Sequence, residues 1–267
     1  MALGEVARLP RKQASTHEHW LAALDAAYTN PDHDRARALV ARAVARIERW
    51  AGNRSRLAYG WSGGKDSQGL RIVCEAAGVS DCVLVISELE YPAFLAWATD
   101  HMPWGLTVEA RPLDLAWLSR NPRMLFPPDA KIAARWFSLI QHAGQRTYCQ
   151  RERVQMLLFG RRLADGNQCG TEGWYRPRDG AAERGSPMFD WTHEDLLCVL
   201  GAHAAPLPPC YGWPRGFRVG TGAWPARQWT GDRENGWREV YEIDRRVVQA
   251  AAEAAIPGAA EYLIGLA

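Results

Sequence analysis

Short apolar stretches alternate with stretches of helical periodicity from residue 56 onward. Apolar runs that end at residues 61, 86 and 110 predict three strands, and apolar side chains recur every three to four residues in the segments between them. Strands that alternate with helices are typical of a parallel sheet, which binds its ligands beyond the carboxyl ends of its strands. The pattern therefore predicts an α/β fold, with a parallel sheet flanked by helices.

The segment after the third predicted strand has a less regular pattern. It predicts a helix over residues 148–164, and the run Asn167-Gln168-Cys169-Gly170-Thr171 predicts a short fourth strand that ends in a glycine turn. Cys169 and Thr171 would then lie close to the crevice at the strand ends.

Two further patterns flank the alternating region. Helical periodicity over 16–29 and 35–50, broken by a turn at Asn30-Pro31-Asp32, predicts an N-terminal helical pair. Beyond residue 200 the chain is irregular and rich in tryptophan, proline and glycine, and a last helix is predicted over 241–255. We expect a helical pair at 1–52, a nucleotide-binding α/β domain at 53–200 and a loop-rich wrap at 201–267. The tryptophans of the wrap either cover the site or pack on the domain edge: Trp213, Trp224, Trp229 and Trp237.

Composition excludes several classes of protein. A net charge of +2 gives no electrostatic case for nucleic-acid binding by the chain as a whole. The N-terminus lacks the apolar core of a signal peptide, and no apolar run approaches the roughly 20 residues that span a bilayer. We therefore expect a cytoplasmic protein with no membrane partner. None of the six cysteines stands in a C-x-x-C pair, so we expect no metal ligands in the chain, no zinc and no iron–sulfur cluster.

The most informative run is Trp61-Ser62-Gly63-Gly64-Lys65-Asp66-Ser67, between the first predicted strand and the helix after it. We call residues 62–67 the phosphate loop. A strand, a glycine turn and a helix start direct backbone N–H groups and the positive end of a helix dipole at one point, which suits a phosphate. The two glycines allow close approach of the backbone, and Lys65 is expected to add a mobile positive charge. Asp66 and Ser67 suit the first helical turn.

Two common phosphate motifs do not fit this run. The Walker motif requires Ser or Thr directly after Gly-Lys, and here Asp66 follows. The dinucleotide pattern G-x-G-x-x-G is also missing. The run instead resembles the Ser-Gly-Gly-x-Asp-Ser signature of the PP-loop ATP pyrophosphatases. That resemblance implies a Rossmann-like fold of the adenine nucleotide alpha hydrolase-like type, and an enzyme that cuts adenosine nucleotides at the α-phosphate.

Later segments resemble the phosphoadenosine phosphosulfate (PAPS) reductase branch of that superfamily, over roughly residues 53 to 225. Ser87 to Pro92 is similar to the turn after the second strand of that branch, residues 187–195 to its Pro-Leu-x-x-Trp-Thr-x-x-Asp segment, and Pro208 to Tyr211 to its proline–tyrosine turn. The chain departs from the branch in its redox residues. It has no cysteine after Cys210, and the Gly-x-Arg expected after the fourth strand reads Gly170-Thr171-Glu172, so that Arg176 or Arg178 would have to substitute.

Arginines dominate the stretch from residue 119 to 162, where nine basic residues face two acidic ones. One interpretation is a polyanion site, for substrate phosphate or sulfate or for a nucleic-acid backbone. The other is a solvated helix whose arginines pair with acids elsewhere in the fold.

Three functions stay open at this level. The first is an ATP-dependent enzyme that adenylates a small molecule or nucleobase and releases pyrophosphate. The second is a PAPS reductase or sulfotransfer enzyme that draws thiols from a partner protein. The third is a non-catalytic nucleotide-binding subunit of a nucleic-acid modification or defence complex. The oligomeric state is also open, with a homodimer as one alternative.

The candidate site follows from the motifs and the resemblance. ATP or PAPS, with Mg²⁺, is the expected ligand, and Asp66 or Glu90 are candidate indirect ligands of the ion. The candidate catalytic residues are Lys65, Asp66, Ser67 and Cys169, with Cys149 as a second candidate sulfur carrier. The candidate nucleotide contacts are Ser62, Gly63, Gly64, Lys65, Asp66, Ser67, Ser87, Glu90, Gly170, Thr171, Arg135, Arg151, Arg153 and Arg176.

Overall fold

The computed structural model of the chain describes residues 15–52, 54–177, 181–227 and 232–266. Its strands are β1 Leu57–Gly60, β2 Cys82–Ser87, β3 Leu106–Arg111, β4 Met156–Leu158, β5 Trp174–Tyr175 and β6 Glu183–Gly185. Its first eight α-helices are α1 His17–Thr29, α2 His33–Ala51, α3 Lys65–Ala76, α4 Pro92–His101, α5 Leu115–Arg120, α6 Ala130–Phe137, α7 Ala143–Arg151 and α8 His193–Ala202. The remaining ones are α9 Gly216–Val219, α10 Arg233–Ile243, α11 Arg245–Glu253 and α12 Ala259–Ile264.

The strands form one sheet in the order β3-β2-β1-β4-β6-β5. All neighbouring strands are parallel except β5, which pairs antiparallel with β6. The chain moves outward in one direction from β1 to β3 and then returns to place β4 on the other side of β1. This reversal makes the carboxyl ends of β1 and β4 the switch point at which such sheets bind ligands. The predicted α/β class is confirmed.

The prediction for residues 148–171 is wrong. Helix α7 ends at Arg151, and Arg153 has a φ of +54°, which helical backbone does not allow. The fourth strand is β4, and all three of its residues are buried in the core. A short apolar run that is buried on both faces lacks the period-2 alternation that marks a strand, so the sequence pattern at β4 predicts a helix instead. Around residues 167–171, only Thr171 makes a bridge, antiparallel to Trp174.

The N-terminal helical pair forms as predicted and packs mainly on α8. Thr16 caps α1 by accepting from the His19 N–H, and Asp32 caps α2 by accepting from the Arg35 N–H. Buried residues from all three regions expected from the sequence, from Trp20 to Ala259, belong to one hydrophobic cluster. The boundaries of those regions stay a prediction.

The C-terminal region contains more regular structure than its composition predicts. The single helix expected over 241–255 is two helices, α10 and α11, separated by Asp244. Asp244 has an extended backbone and its carboxylate accepts a hydrogen bond from the Arg246 N–H, so it ends one helix and caps the next. Among the described residues, no helix has both the length and the apolar character that crossing a bilayer requires.

Helices α1 and α8 approach so closely that only glycine fits at Gly201. A Cβ added there would stand 2.1 Å from the Ala27 carbonyl oxygen, which is backbone and cannot rotate away. We predict that Gly201→Ala lowers the free energy of unfolding by about 1–3 kcal/mol, the usual cost of overpacking. Urea unfolding measures the change. Gly212→Ala is the matched control, because its nearest atom would be 3.5 Å away. Equal effects of the two substitutions would contradict the close approach.

Candidate functional site

The phosphate loop connects β1 to α3 at the switch point of the sheet. Gly63 has a φ of +69°, and a Cβ there would stand 2.6 Å from the Trp97 ring, so both backbone and packing require glycine. Gly64 is the N-cap of α3 and has no side chain to satisfy the first N–H groups of the helix. The loop thus has the backbone geometry that its motif predicts.

The loop leaves backbone donors available at the start of α3. Within the described part of the chain, no group accepts a hydrogen bond from the N–H of Gly63 or of Gly64. Unsatisfied N–H groups at a helix N-terminus attract an anion, because the helix dipole adds partial positive charge there. These two N–H groups are the strongest local signal for a phosphate.

Hydroxyl groups from the C-terminal region border the same point. A Cβ on Gly64 would stand 3.2 Å from the Tyr211 hydroxyl and 3.4 Å from both the Ser62 and the Thr221 hydroxyls. The Lys65 N–H donates to the Tyr211 hydroxyl over 2.7 Å. The candidate site residues predicted from the sequence did not include Tyr211 or Thr221. The only sequence signal for Tyr211 was the proline–tyrosine turn of the resemblance.

The Lys65 side chain points into the protein, which corrects its expected role as a mobile charge, whereas the Asp66 carboxylate that pairs with it is 30% exposed. The Lys65 side chain is 2% exposed, and its ammonium lies 2.7 Å from the Asp66 carboxylate and 5.6 Å above the Trp20 ring. A buried, paired ammonium cannot act as a mobile charge on a phosphate. Ser67 is also used internally, because its hydroxyl accepts from the Ser62 N–H and donates to the Gly64 carbonyl. All three side chains hold the loop in shape.

A buried ion cluster fixes the loop from below. Arg162 is fully buried and contacts Asp66 at 2.8 Å and Asp165 at 2.8 Å. Lys65 adds a second cation, and the Asp165 carboxylate lies 4.0 Å from its ammonium. Burial, followed by the charge of Arg162, lowers the pKa of His193 to about 4, so this histidine is neutral near pH 7. Two cations therefore balance two carboxylates, which is the condition for burying charges.

The residues after β4 supply the Gly-x-Arg that the resemblance led us to expect. Gly160-Arg161-Arg162 begins two residues after the end of β4, so the assignment to Gly170-Thr171-Glu172 is wrong. A Cβ on Gly160 would stand 2.5 Å from the Asp66 carbonyl oxygen, so the two segments require glycine to meet. Arg161 extends its guanidinium over the Phe159 ring at 4.8 Å and donates to the Tyr175 hydroxyl. A correct position for β4 would have revealed this motif from the sequence.

The structure does not bring the four arginines predicted as nucleotide contacts to the phosphate loop. Arg56 precedes β1 and pairs with both Glu152 and Asp81, which marks residues 151–153 as lying at the amino ends of the strands. Arg151 pairs with Glu109 and Glu152 there. Arg153 follows Glu152 at this edge, Arg135 is exposed on α6, and Arg176 pairs with Glu183. Arg178 and Trp229 lie outside the described residues.

Ser87 and Glu90 lie at the carboxyl end of β2, next to β1, but they contact each other. The Glu90 carboxylate accepts from the Ser87 N–H at 3.4 Å and from its hydroxyl at 3.3 Å, and both residues are buried. Gly170 has a φ of +72° and precedes Thr171, which opens the turn that leads to β5. Their role as nucleotide contacts stays a prediction.

The two candidate sulfur carriers are poorly placed for thiol chemistry. Cys169 is 2% exposed and its thiol faces the Asn167 carbonyl. Burial raises the pKa of Cys169, and burial likewise raises the pKa of Cys149 despite the neighbouring Arg184. A thiol whose pKa is raised has little thiolate near pH 7, and the thiolate is the nucleophile.

A basic groove runs along one face of α7, from the amino ends of the strands to their carboxyl ends. Three neighbouring cavities of about 410, 200 and 360 Å³ form it, and all three share Arg146. None of their described lining residues is Asp or Glu. We call this feature the arginine groove, and its arginine and histidine side chains are Arg111, His142, Arg146, Arg153, Arg161 and Arg184.

The arginine groove adjoins the switch point. A Cβ on Gly60, the last residue of β1, would stand 3.5 Å from the Gln145 amide and 3.7 Å from the Phe159 ring. Both of these side chains line the central cavity of the groove. Because Ser62 follows Gly60 by two residues, the groove opens beside the phosphate loop.

The described residues offer no metal centre of their own. They contain no group of three or more His, Cys, Asp or Glu side chains placed to hold a metal ion. Both Asp66 oxygens already accept from cations, and Glu90 is buried against Ser87. The expected Mg²⁺ would therefore depend on phosphate oxygens of the nucleotide for its ligands, and the residues present do not build a site for it.

Comparison with known proteins gives structural matches alone. The chain is similar to the phosphate complex of phosphoadenylyl-sulfate (PAPS) reductase from Candida auris, at 12% identity over 68% of this chain and 88% of that chain, with a TM-score of 0.50. Yeast FAD synthetase in complex with FAD aligns at 11% identity over 71% of this chain and 67% of that chain, with a TM-score of 0.44. Candida glabrata FMN adenylyltransferase in complex with FAD and inorganic pyrophosphate aligns at 11% identity over 81% and 73%, with a TM-score of 0.46.

No protein-family model matches the sequence, and no curated protein matches it. The similarity to the reductase is therefore one of fold. The structural resemblance predicted from the motifs is confirmed at the level of the fold, and the chain has an adenine nucleotide alpha hydrolase-like fold.

Proposed function

We propose that this protein binds ATP, or a related adenosine nucleotide, at the phosphate loop and transfers its adenylyl group to an acceptor. One observation carries the proposal: the N–H groups of Gly63 and Gly64 stand at the start of α3, at the switch point of the sheet, without an acceptor in the described chain. Such donors fit the phosphates of a nucleotide. The position of Arg161 also supports the proposal, because this positive side chain follows β4 at the same edge of the sheet.

The proposed reaction breaks the bond between the α-phosphorus and the oxygen that bridges to the β-phosphate. An acceptor oxygen attacks the α-phosphorus, pyrophosphate leaves with the bonding electron pair, and the acceptor proton passes to solvent. The protein contributes by positioning the nucleotide and by stabilising charge on the leaving group. The donors of the phosphate loop would face the pyrophosphate. Mg²⁺ bound by the phosphates would neutralise further charge.

The alternative functions predict different readouts. A PAPS reductase or sulfotransfer enzyme would need thiols, and the buried cysteines of this chain do not favour that chemistry, so the thiol would have to come from a partner protein. A non-catalytic subunit would bind the nucleotide and release no pyrophosphate. Pyrophosphate release in the presence of candidate acceptors therefore separates the first function from the third, and sulfite formation with a thiol protein identifies the second.

A methyl group on Gly64 tests directly whether the phosphate loop binds a phosphate. The Gly64→Ala side chain would stand among the Ser62, Tyr211 and Thr221 hydroxyls, at 3.2–3.4 Å, where the phosphate is expected. Because the φ of Gly64 is −68°, alanine fits the backbone and the protein should fold. We predict at least roughly tenfold weaker ATP binding by isothermal titration, from lost hydrogen bonds to a charged ligand.

Gly265→Ala is the control for this test. Its backbone has a φ of −69°, and the nearest atom to its Cβ would be 3.5 Å away at the end of α12. It should bind ATP as the unaltered protein does. The proposal fails if the unaltered protein binds neither ATP nor PAPS, or if Gly64→Ala binds as tightly as the control.

Thiol reactivity tests the reductase alternative. All six cysteines are buried and free, and burial raises the pKa of each. We predict that none reacts with the thiol reagent DTNB within minutes in the native protein, whereas all six react in denaturant. Fast reaction of Cys169 alone, shown by its loss in Cys169→Ser, would contradict this prediction and favour sulfur chemistry.

The buried carboxyl of Glu90 predicts a pH-dependent stability. Burial raises its pKa from 4.5 to about 7, against the opposing effect of the Ser87 hydrogen bonds. Between these two values the folded protein keeps a proton that the unfolded chain has lost, so stability falls as pH rises and stays lower above pH 7. The loss is about 3 kcal/mol at about 1.4 kcal/mol per pKa unit.

Glu90→Gln should remove this loss. We expect its gain in unfolding free energy over the unaltered protein to be larger at pH 8 than at pH 5, measured by urea unfolding at both. Glu88→Gln is the control, since Glu88 is exposed two residues away. Parallel pH responses of Glu90→Gln and the unaltered protein would show that Glu90 does not carry the effect.

A further inference from the structure

The arginine groove concentrates basic side chains in one place. Several arginines elsewhere pair with carboxylates, as Arg46 does with Asp190 and Arg215 with Glu239. Arg146 and Arg153 are exposed in the groove, and neither forms an ion pair with a described carboxylate. Net charge of +2 for the chain hides this local excess. The groove therefore has the electrostatics of a site for an anion.

The spacing of these charges indicates which kind of anion would bind in the groove. Arg146 lines all three cavities, Arg153 lines the cavity beyond the end of α7, and Arg111 lines the cavity at the end of β3. These three arginines form a row across neighbouring cavities. The phosphates of a mononucleotide adjoin one another and would contact only one end of that row. A nucleic-acid strand places one phosphate on each nucleotide and matches a row of spaced cations.

The aromatic lining of the groove favours a single strand. The groove is a set of neighbouring cavities of about 200 to 410 Å³, and Phe159 and Tyr175 line the central one. The guanidiniums of Arg161 and Arg184 lie over the Phe159 ring at 4.8 and 5.3 Å, which presents flat cationic surfaces beside the groove. Planar arginine and aromatic groups stack on unpaired bases.

We propose that the arginine groove binds the phosphodiester backbone of a single-stranded nucleic acid, which is the acceptor of the adenylyl group. The acceptor role rests on the proposed function, whereas binding of the strand does not. Position supports the assignment, because two side chains that line the central cavity, Gln145 and Phe159, pack against Gly60 at the end of β1. A strand in the groove would bring a reactive oxygen to the nucleotide at the switch point.

The test measures binding of a fluorescent 12-nucleotide single strand, as DNA and as RNA, by anisotropy over a series of salt concentrations. Three phosphate contacts predict a slope of log K against log salt of about −2, since each contact on a single strand contributes about −0.7. Arg146→Ala and Arg153→Ala should each weaken binding and reduce the slope by about 0.7. Both residues are exposed, so the variants should fold, and circular dichroism checks this.

Arg37→Ala is the matched control. Arg37 is an exposed arginine of α2 outside the groove, so its removal takes away the same charge and should leave the slope unchanged. The proposal is overturned if the strand does not bind at low salt, if the groove and control variants behave alike, or if a duplex of equal length binds more tightly.

Gly64→Ala separates this proposal from the proposed function. It should lose ATP binding and retain binding of the strand, because the phosphate loop and the groove are adjacent but distinct. If the unaltered protein binds the strand but not ATP, the proposed function fails and the acceptor role with it, while the groove stands as a nucleic-acid site. If ATP binds and the strand does not, the groove proposal fails alone.

Discussion

The buried contact between Arg162 and Asp66 is the constraint on which the rest of the site depends. Asp66 belongs to the first turn of α3 and Arg162 to the segment after β4, so this ion pair joins the two sides of the switch point. It survives burial because Asp165 and Lys65 complete a balanced cluster around it. Removing one member of such a cluster leaves an uncompensated charge, typically at about 3–5 kcal/mol. The phosphate loop is thereby held rigid from below.

Sequence alone predicted the α/β class, the first three strands and the backbone geometry of the phosphate loop, because glycine turns and alternating elements are local signals. It failed at β4, where an apolar run buried on both faces looks the same as part of a helix. That one error displaced the Gly-x-Arg motif from residue 160 to residue 170. The sequence also did not predict the burial of Lys65, because nothing in the motif indicates that its ammonium points into the core.

The C-terminal region completes the site through long-range contacts that no local pattern shows. Tyr211 accepts the first N–H of α3, and Trp224 donates its N–H to the Leu89 carbonyl beyond β2. The same region therefore touches the loops after two neighbouring strands. Its many aromatic residues pack on the edge of the domain, which was one of the two interpretations of its tryptophans from the sequence. Single hydroxyls, such as that of Thr221, reach the phosphate loop.

Two opposite electrostatic arrangements lie side by side at the switch point. Beneath the phosphate loop, two cations pair with two carboxylates, so the cluster has no net charge to offer a ligand and instead holds the loop in shape. Along α7 the arginines are accessible and no described carboxylate lines their cavities, so the groove carries net charge and acts on ligands. Arg161 and Arg162 are adjacent in sequence, yet one serves the groove and the other the cluster. Residue type therefore could not separate ligand-binding arginines from structural ones; burial and pairing do.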